Sequence, residues 1–199
     1  MRRTALPGFI VTLLSVFVLS GCAWLHLGET CLVEDRKPCA DILISEKPPR
    51  AVKLAALELQ TCLAKITGAT LPITTRPQAS VACHIYVGKS EYTDALKISD
   101  EGLKFGAFRM ISGKDYLALL GHDKDIAELS EYAAHSPGDE KRALKAWDEH
   151  TGEHWGSPYS TVGGDDWGGY SWPVGIWERD ERGSLNAVYA FLYGLGVRF

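Results

Sequence analysis

His150-Thr151-Gly152-Glu153-His154 sets two imidazoles four positions apart with a carboxylate between them. On a helix that spacing offers zinc two ligands on one face and keeps the glutamate as a base for bound water. Gly152 lies inside the motif, and Gly156 and Pro158 follow it closely. A helix is therefore not expected to align the imidazoles, and a polar surface loop is the preferred reading. Asp165, Asp166, Glu178, Asp180 and Glu181 form a second acidic group. Two carboxyl groups about 5 to 10 Å apart across a sugar could serve as acid and base. Spacing along the chain does not fix that distance, so solvated loop charges are expected. The third feature is aromatic: Trp155, Trp167, Tyr170, Trp172 and Trp177 are interspersed with glycines. Indole faces stack on the C–H faces of sugars, and glycine and aspartate leave room for hydrogen bonds to hydroxyls. Packing of the same rings on the domain, or on a following one, is the plainer alternative.

Cys22 offers covalent chemistry of another kind. Arg2 and Arg3 precede the uncharged apolar run 9–19, and Leu19-Ser20-Gly21-Cys22 follows at once. The run is short for a bilayer span and suits the apolar part of an export signal. Small residues before a cysteine resemble the bacterial lipobox, in which the thiol is acylated and becomes the new N-terminus. Residues 1–21 are read as a lipoprotein signal peptide, Cys22 as the lipidation site and 22–39 as a tether. The membrane partner is then lipid, and the chain is exported to the periplasmic or cell-surface side of a bacterial membrane. An ordinary export signal with an incidental Cys22 is the alternative.

An oxidising compartment permits disulfides, and Cys31, Cys39, Cys62 and Cys83 allow three pairings. Cys31 and Cys39 flank a polar stretch containing Pro38 and form the candidate bridge. Cys62 and Cys83 lie on apolar faces and read as buried thiols or a second bridge. No Cys-x-x-Cys pair is present. Neither a zinc ribbon nor a thioredoxin-like site is indicated, and no metal or other cofactor is expected.

These residues need a scaffold, and composition allows one. The chain has 199 residues, 46% of them hydrophobic and 23% charged, with a net charge of -4. That composition excludes wholesale disorder, collagen and multi-span membrane classes. The acidic balance argues against nucleic acid as a partner.

A strand is expected over 41–45. Pro48 and Pro49 then open a helix whose apolar stripe is Val52, Ala55, Ala56, Leu59, Cys62, Leu63 and Ile66, ended by Gly68. Residues 71–75 suit an edge strand, because Pro72 cannot donate to a ladder. Over 81–87, Val81, Cys83, Ile85 and Val87 face one way and Ala82, His84 and Tyr86 the other. Residues 106–112 and 115–120 read as a hairpin around Gly113-Lys114. A short helix is expected at 124–134. A second amphipathic helix is expected over 184–193, with Leu185, Val188, Tyr189 and Leu192 on its stripe. Between about 150 and 180 no period is visible. The pattern predicts an α/β fold: a single mixed β-sheet, two main helices packed on one face, and a long Trp/Gly-rich insertion at about 122–182.

Four segments carry a family resemblance: AALELQTCLAKITGATLPI at 55–73, HIYVGKSEY at 84–92, FRMIS at 108–112 with YLALLG at 116–121, and GSLNAVYAFLYGLGVRF at 183–199. In this order they resemble the N-terminal α/β domain that precedes the catalytic barrel in β-hexosaminidases and α-glucuronidases, and in bacterial glycosidase-like proteins that share it. The resemblance covers about residues 40–199 outside the insertion. It implies a non-catalytic accessory domain of a glycoside hydrolase-like lipoprotein, supporting or positioning an oligosaccharide. The family's catalytic carboxylates lie in the (β/α)8 barrel, so the resemblance places no catalytic residue in this chain. It also implies a barrel partner that is absent here, beginning where this chain reaches Phe199, as in a truncated product or a fragment. Two other functions stay open: a stand-alone carbohydrate-binding module using the tryptophan loop, and an unusual hydrolase using loop carboxylates or His150 and His154.

Overall fold

The computed structural model describes residues 31–126, 138–153, 161–162, 172–173 and 180–199. The first described segment is a small hairpin, β1 (Val33–Glu34) with β2 (Lys37–Pro38), where the sequence suggested only a tether. Asp35 and Arg36 between them have φ of 49° and 60°. A two-residue hairpin needs both central residues in the left-handed region, and aspartate tolerates it better than most.

The central sheet runs in the order β4-β3-β5-β7-β6. Strands β3 (Ala40–Leu43), β4 (Ile73–Thr74), β5 (Cys83–Val87) and β7 (Tyr116–Gly121) are parallel, and β6 (Phe108–Ser112) joins β7 as an antiparallel hairpin. All four residues of β3 are buried, as befits a parallel strand covered on both faces. β4 lies at the edge, where Pro72 allows it.

Helix α1 (Arg50–Thr67) follows β3. Gly68 ends it at φ 76°, with its N–H donating to the Ala64 carbonyl. The short helix α2 (Glu91–Ala95) is opened by a reciprocal Ser90–Thr93 capping box. α3 (Gly138–Thr151) stands where the insertion was expected, and α4 (Gly183–Gly194) closes the fold.

Two cores result. α1 and α4 pack together on one face of the sheet, over Ile42, Ile85, Val87 and Leu119. Their own contributions include Leu54, Leu59, Leu185, Val188 and Leu192, all nearly inaccessible. Each such side chain contributes about 1.5 to 3 kcal/mol. The other face carries Leu43, Tyr86, Ala118 and Leu120, covered by Ile98 and Tyr92. The mixed sheet with two main helices on one face is therefore the observed architecture.

Glycine is obligatory where the end of β7 meets the start of α4. A Cβ on Gly121 would lie 2.2 Å from the carbonyl carbon of Gly183, so the two backbones cross in contact.

Three expectations change. Lys124 belongs to a strand, β8 (Asp123–Lys124), which pairs with β11 (Glu181–Arg182), so no helix starts there. Residues 127–134 lie outside the described residues. A helix does form further on, at α3, where Trp147 packs against the main core. The candidate Cys31–Cys39 bridge is not formed. Cys31 Sγ donates to the Val33 carbonyl at 3.0 Å and Cys39 Sγ to that of Lys37 at 3.8 Å. The Cys39 amide bonds the Leu32 carbonyl, which sets Leu32 opposite Cys39 and leaves Cys31 one residue out of step. Cys62 and Cys83 are free and buried, so they make no second bridge.

Candidate functional site

The chain leaves β3 through α1 to reach β4 on one side, and leaves β5 through α2 to reach the β6–β7 hairpin on the other. Connections that part in this way open a crevice at the carboxyl ends of the strands, where α/β sheets bind ligands. Two clefts lie along that edge. One of about 460 Å³ is bounded by Ser45, Glu46, Thr75, Arg76 and Tyr92. The other, of about 540 Å³, is bounded by Lys89, Asp100, Phe105, His122 and Glu181 among others.

His122 follows the last residue of β7 directly. Its Nδ1 lies 2.8 Å from Asp100 Oδ2, and its Nε2 lies 3.5 Å from Glu181 Oε2. Lys89, just beyond β5, places Nζ 3.5 Å from Asp100 Oδ1. Burial works against ionisation of Asp100, but the His122 hydrogen bond and the Lys89 charge outweigh it and hold the carboxyl below its usual range. An imidazole between two carboxylates can accept a proton at one nitrogen and release one at the other. His122 stands between the acids rather than beside them. Among the described residues, no group of three or more His, Cys, Asp or Glu side chains is placed to hold a metal ion.

Next to it, Asp123 turns inward. Its Oδ1 accepts the Ser184 amide at 3.0 Å and its Oδ2 the Ser184 hydroxyl at 2.5 Å, while that hydroxyl accepts the Gly121 amide at 2.9 Å. Burial pushes the Asp123 carboxyl up to about 6, against the lowering effect of the Ser184 bonds. This network locks β7 to the start of α4.

Asp125 and Asp180 fix the β8–β11 stem to α1. Pro49 offers no side-chain cap, and the Arg50 amide instead donates to Asp125 at 3.3 Å. The Arg50 guanidinium reaches Asp180 Oδ2 at 2.6 Å from Nε, and the other Asp180 oxygen accepts the Ile126 amide at 2.8 Å. Lys53 of α1 is also bonded to Glu153, just past α3.

A second pair lies lower on the face away from α1. Asp41 of β3 is wholly buried, and its Oδ1 is 2.7 Å from His84 Nδ1 on β5, while Oδ2 accepts the Gln78 amide at 2.8 Å. Parallel register sets Asp41 beside His84, and the Tyr86 ring stands 6.2 Å from the His84 ring. A carboxylate that fixes one imidazole nitrogen orients the ring and its tautomer.

The residues singled out from sequence fare differently. His150 sits in the last turn of α3, and Gly152 at φ 70° follows the end of that helix within the His150–His154 motif. Asp180 is a buried ion-pair member, not a solvated loop charge, while Glu181 faces the larger cleft. Trp172 lies on β10 (Trp172–Pro173), which pairs through its backbone with β9 (Thr161–Val162). Cys22, His154, Trp155, Asp165, Asp166, Trp167, Tyr170, Trp177 and Glu178 lie outside the described residues. Sequence reasoning missed Lys89, Asp100, Phe105, His122 and the Asp41–His84 pair. One signal was available: Lys89 and His122 are polar residues placed directly after strand-ending glycines.

Comparison of the chain with known proteins finds no family model, no curated protein and no solved structure that matches it.

Proposed function

We propose that this chain is a non-catalytic accessory domain of an exported, carbohydrate-active lipoprotein, where it supports or positions a glycan. The observation that carries the reading is the origin of the Trp/Gly-rich segment. That segment leaves the sheet at β8 and returns at β11, and the two strands pair as Asp123↔Arg182 and Lys124↔Glu181. Both described ends of the segment thus lie at the carboxyl edge, where Glu181 borders the larger cleft. A (β/α)8 barrel carried outside this chain is the partner that would perform hydrolysis, and Cys22 is the point of lipid attachment.

Intrinsic tryptophan fluorescence of the full-length chain, titrated with a panel of oligosaccharides, tests the glycan role. A saturable shift, lost in Trp167→Ala or Trp172→Ala, is the expected result. The absence of any response across the panel overturns it. Nitrophenyl glycosides should remain uncleaved, and turnover would overturn the non-catalytic assignment. Labelled palmitate should enter the wild-type chain and not Cys22→Ser. Equal labelling of both would remove Cys22 as the anchor.

A further inference from the structure

We infer that the cleft between Lys89, Phe105, His122 and Glu181 is a saccharide subsite, with the Phe105 ring as its platform and Glu181 as an acceptor for hydroxyl groups. The inference rests on the glycan-positioning role and gives it a location in the larger cleft.

Phe105 is 100% exposed at the cleft wall, and its φ is 56°. A bulky residue in the left-handed region is costly, and such strain persists only where the surroundings impose it. Here they do. Arg109 of β6 donates from its guanidinium to the carbonyls of Ser99 and Glu101, and Asn186 of α4 donates to the Gly106 carbonyl at 2.9 Å. The loop is therefore pinned on both sides of a ring that buries nothing in the domain. A ring held in water by a fixed backbone is prepared to stack, with little ordering left to be lost on binding.

The rest of the wall selects the ligand class. Among the described residues of the wall, Asp100, Glu101 and Glu181 outnumber Lys89 and Lys104, and Lys89 is already paired with Asp100, so a phosphate or other multivalent anion is disfavoured. Among the described residues, Leu103 and Phe105 are the sizeable apolar members of the wall, too few for a wholly apolar ligand. A neutral polyhydroxylated ring with one C–H face fits both demands. The volume of about 540 Å³ falls in the range of about 300 to 1,000 Å³ usual for small-ligand sites. Glu181 lines the cleft with Oε2 3.5 Å from His122 Nε2, and its carboxylate can accept from sugar hydroxyls there.

Isothermal titration of the full-length chain with cellobiose, chitobiose and xylobiose tests the subsite, with circular dichroism confirming that each variant folds. At least one disaccharide should bind, and Phe105→Ala and Glu181→Gln should weaken it by about tenfold or more. Phe105 is fully exposed, so its truncation removes no packing and keeps the test valid if Glu181→Gln fails to fold. Undiminished binding by Phe105→Ala, or loss in Trp172→Ala alone, overturns the subsite and leaves the accessory role standing. Binding of longer oligosaccharides in the fluorescence titration without disaccharide binding also overturns the subsite alone. Silence in both experiments overturns both.

Discussion

Arg50 and Asp180, 130 residues apart in sequence, form a buried ion pair that holds both ends of the insertion to helix α1. Their side chains are 9% and 1% exposed. One Asp180 oxygen takes the guanidinium, and the other takes the Ile126 amide at the opposite end of the insertion. Desolvating two charges is costly, so the pair itself adds little net stability, but removing one member strands the other. Asp180→Ala should therefore cost about 3 to 5 kcal/mol in chemical denaturation. It should also detach the β8–β11 stem, seen as faster amide exchange at Lys124 and Glu181. A loss below about 1 kcal/mol would place the pair among solvent-exposed bridges and remove its role as a clamp.

Asp123 predicts how stability responds to pH. Its carboxyl titrates at about 6 in the folded chain, against 3.8 for the ordinary group, chiefly because it is buried. Between those values the folded state holds a proton that the unfolded state has already released. Stability must then fall as pH rises through that window, and it is fully regained below it. The gap corresponds to about 3 kcal/mol for this group. Urea denaturation at intervals from pH 4 to 7 should show that decline in the wild type, and the decline should be smaller by about that amount in Asp123→Asn. Parallel pH profiles for the two proteins would contradict the assignment.

The sheet and its main helices were legible because their signals are local. The α1 stripe from Val52 to Leu63 is buried as its spacing requires, and only Ile66, near the free end of the helix, lies 53% exposed. The alternation along β5 also holds: Cys83, Ile85 and Val87 face the helices, while Tyr86 faces the other core. The pairs that matter for the site were not legible. Asp41 meets His84 only because β3 and β5 run parallel in one register, and a shift of one residue would turn His84 away. Arg50 meets Asp180 only once the insertion returns on itself through β11. Helix α3 escaped notice because its apolar signal is short: among its described side chains Leu144 and Trp147 are half-buried and Thr151 is buried, set among charged residues. Phe105 gives no sequence signal, since its strained backbone is imposed by Arg109 and Asn186 from other elements.

The four described cysteines separate into two chemical classes, and alkylation distinguishes them. Cys31 is exposed and Cys39 half-buried, each thiol bonded only to a nearby carbonyl. Cys83 is buried beneath the helices, and burial pushes its thiol up to about 11, from 9.0 for the ordinary group. Cys62 is raised as well, first by burial and then by the charge of Glu58. The thiolate is the reactive form, so at pH 8 the shift alone slows Cys83 by about a hundredfold, and the packing above it slows access further. Iodoacetamide should modify Cys31 and Cys39 in the native chain within minutes, while Cys62 and Cys83 react only after denaturant is added. Peptide mapping by mass spectrometry reads each site separately. Labelling of Cys83 as fast as Cys31 would show that the helix-side core is open. Cys31 and Cys39 resisting the reagent until a reductant is present would show that the hairpin shifts by one residue under oxidising conditions and closes the bridge.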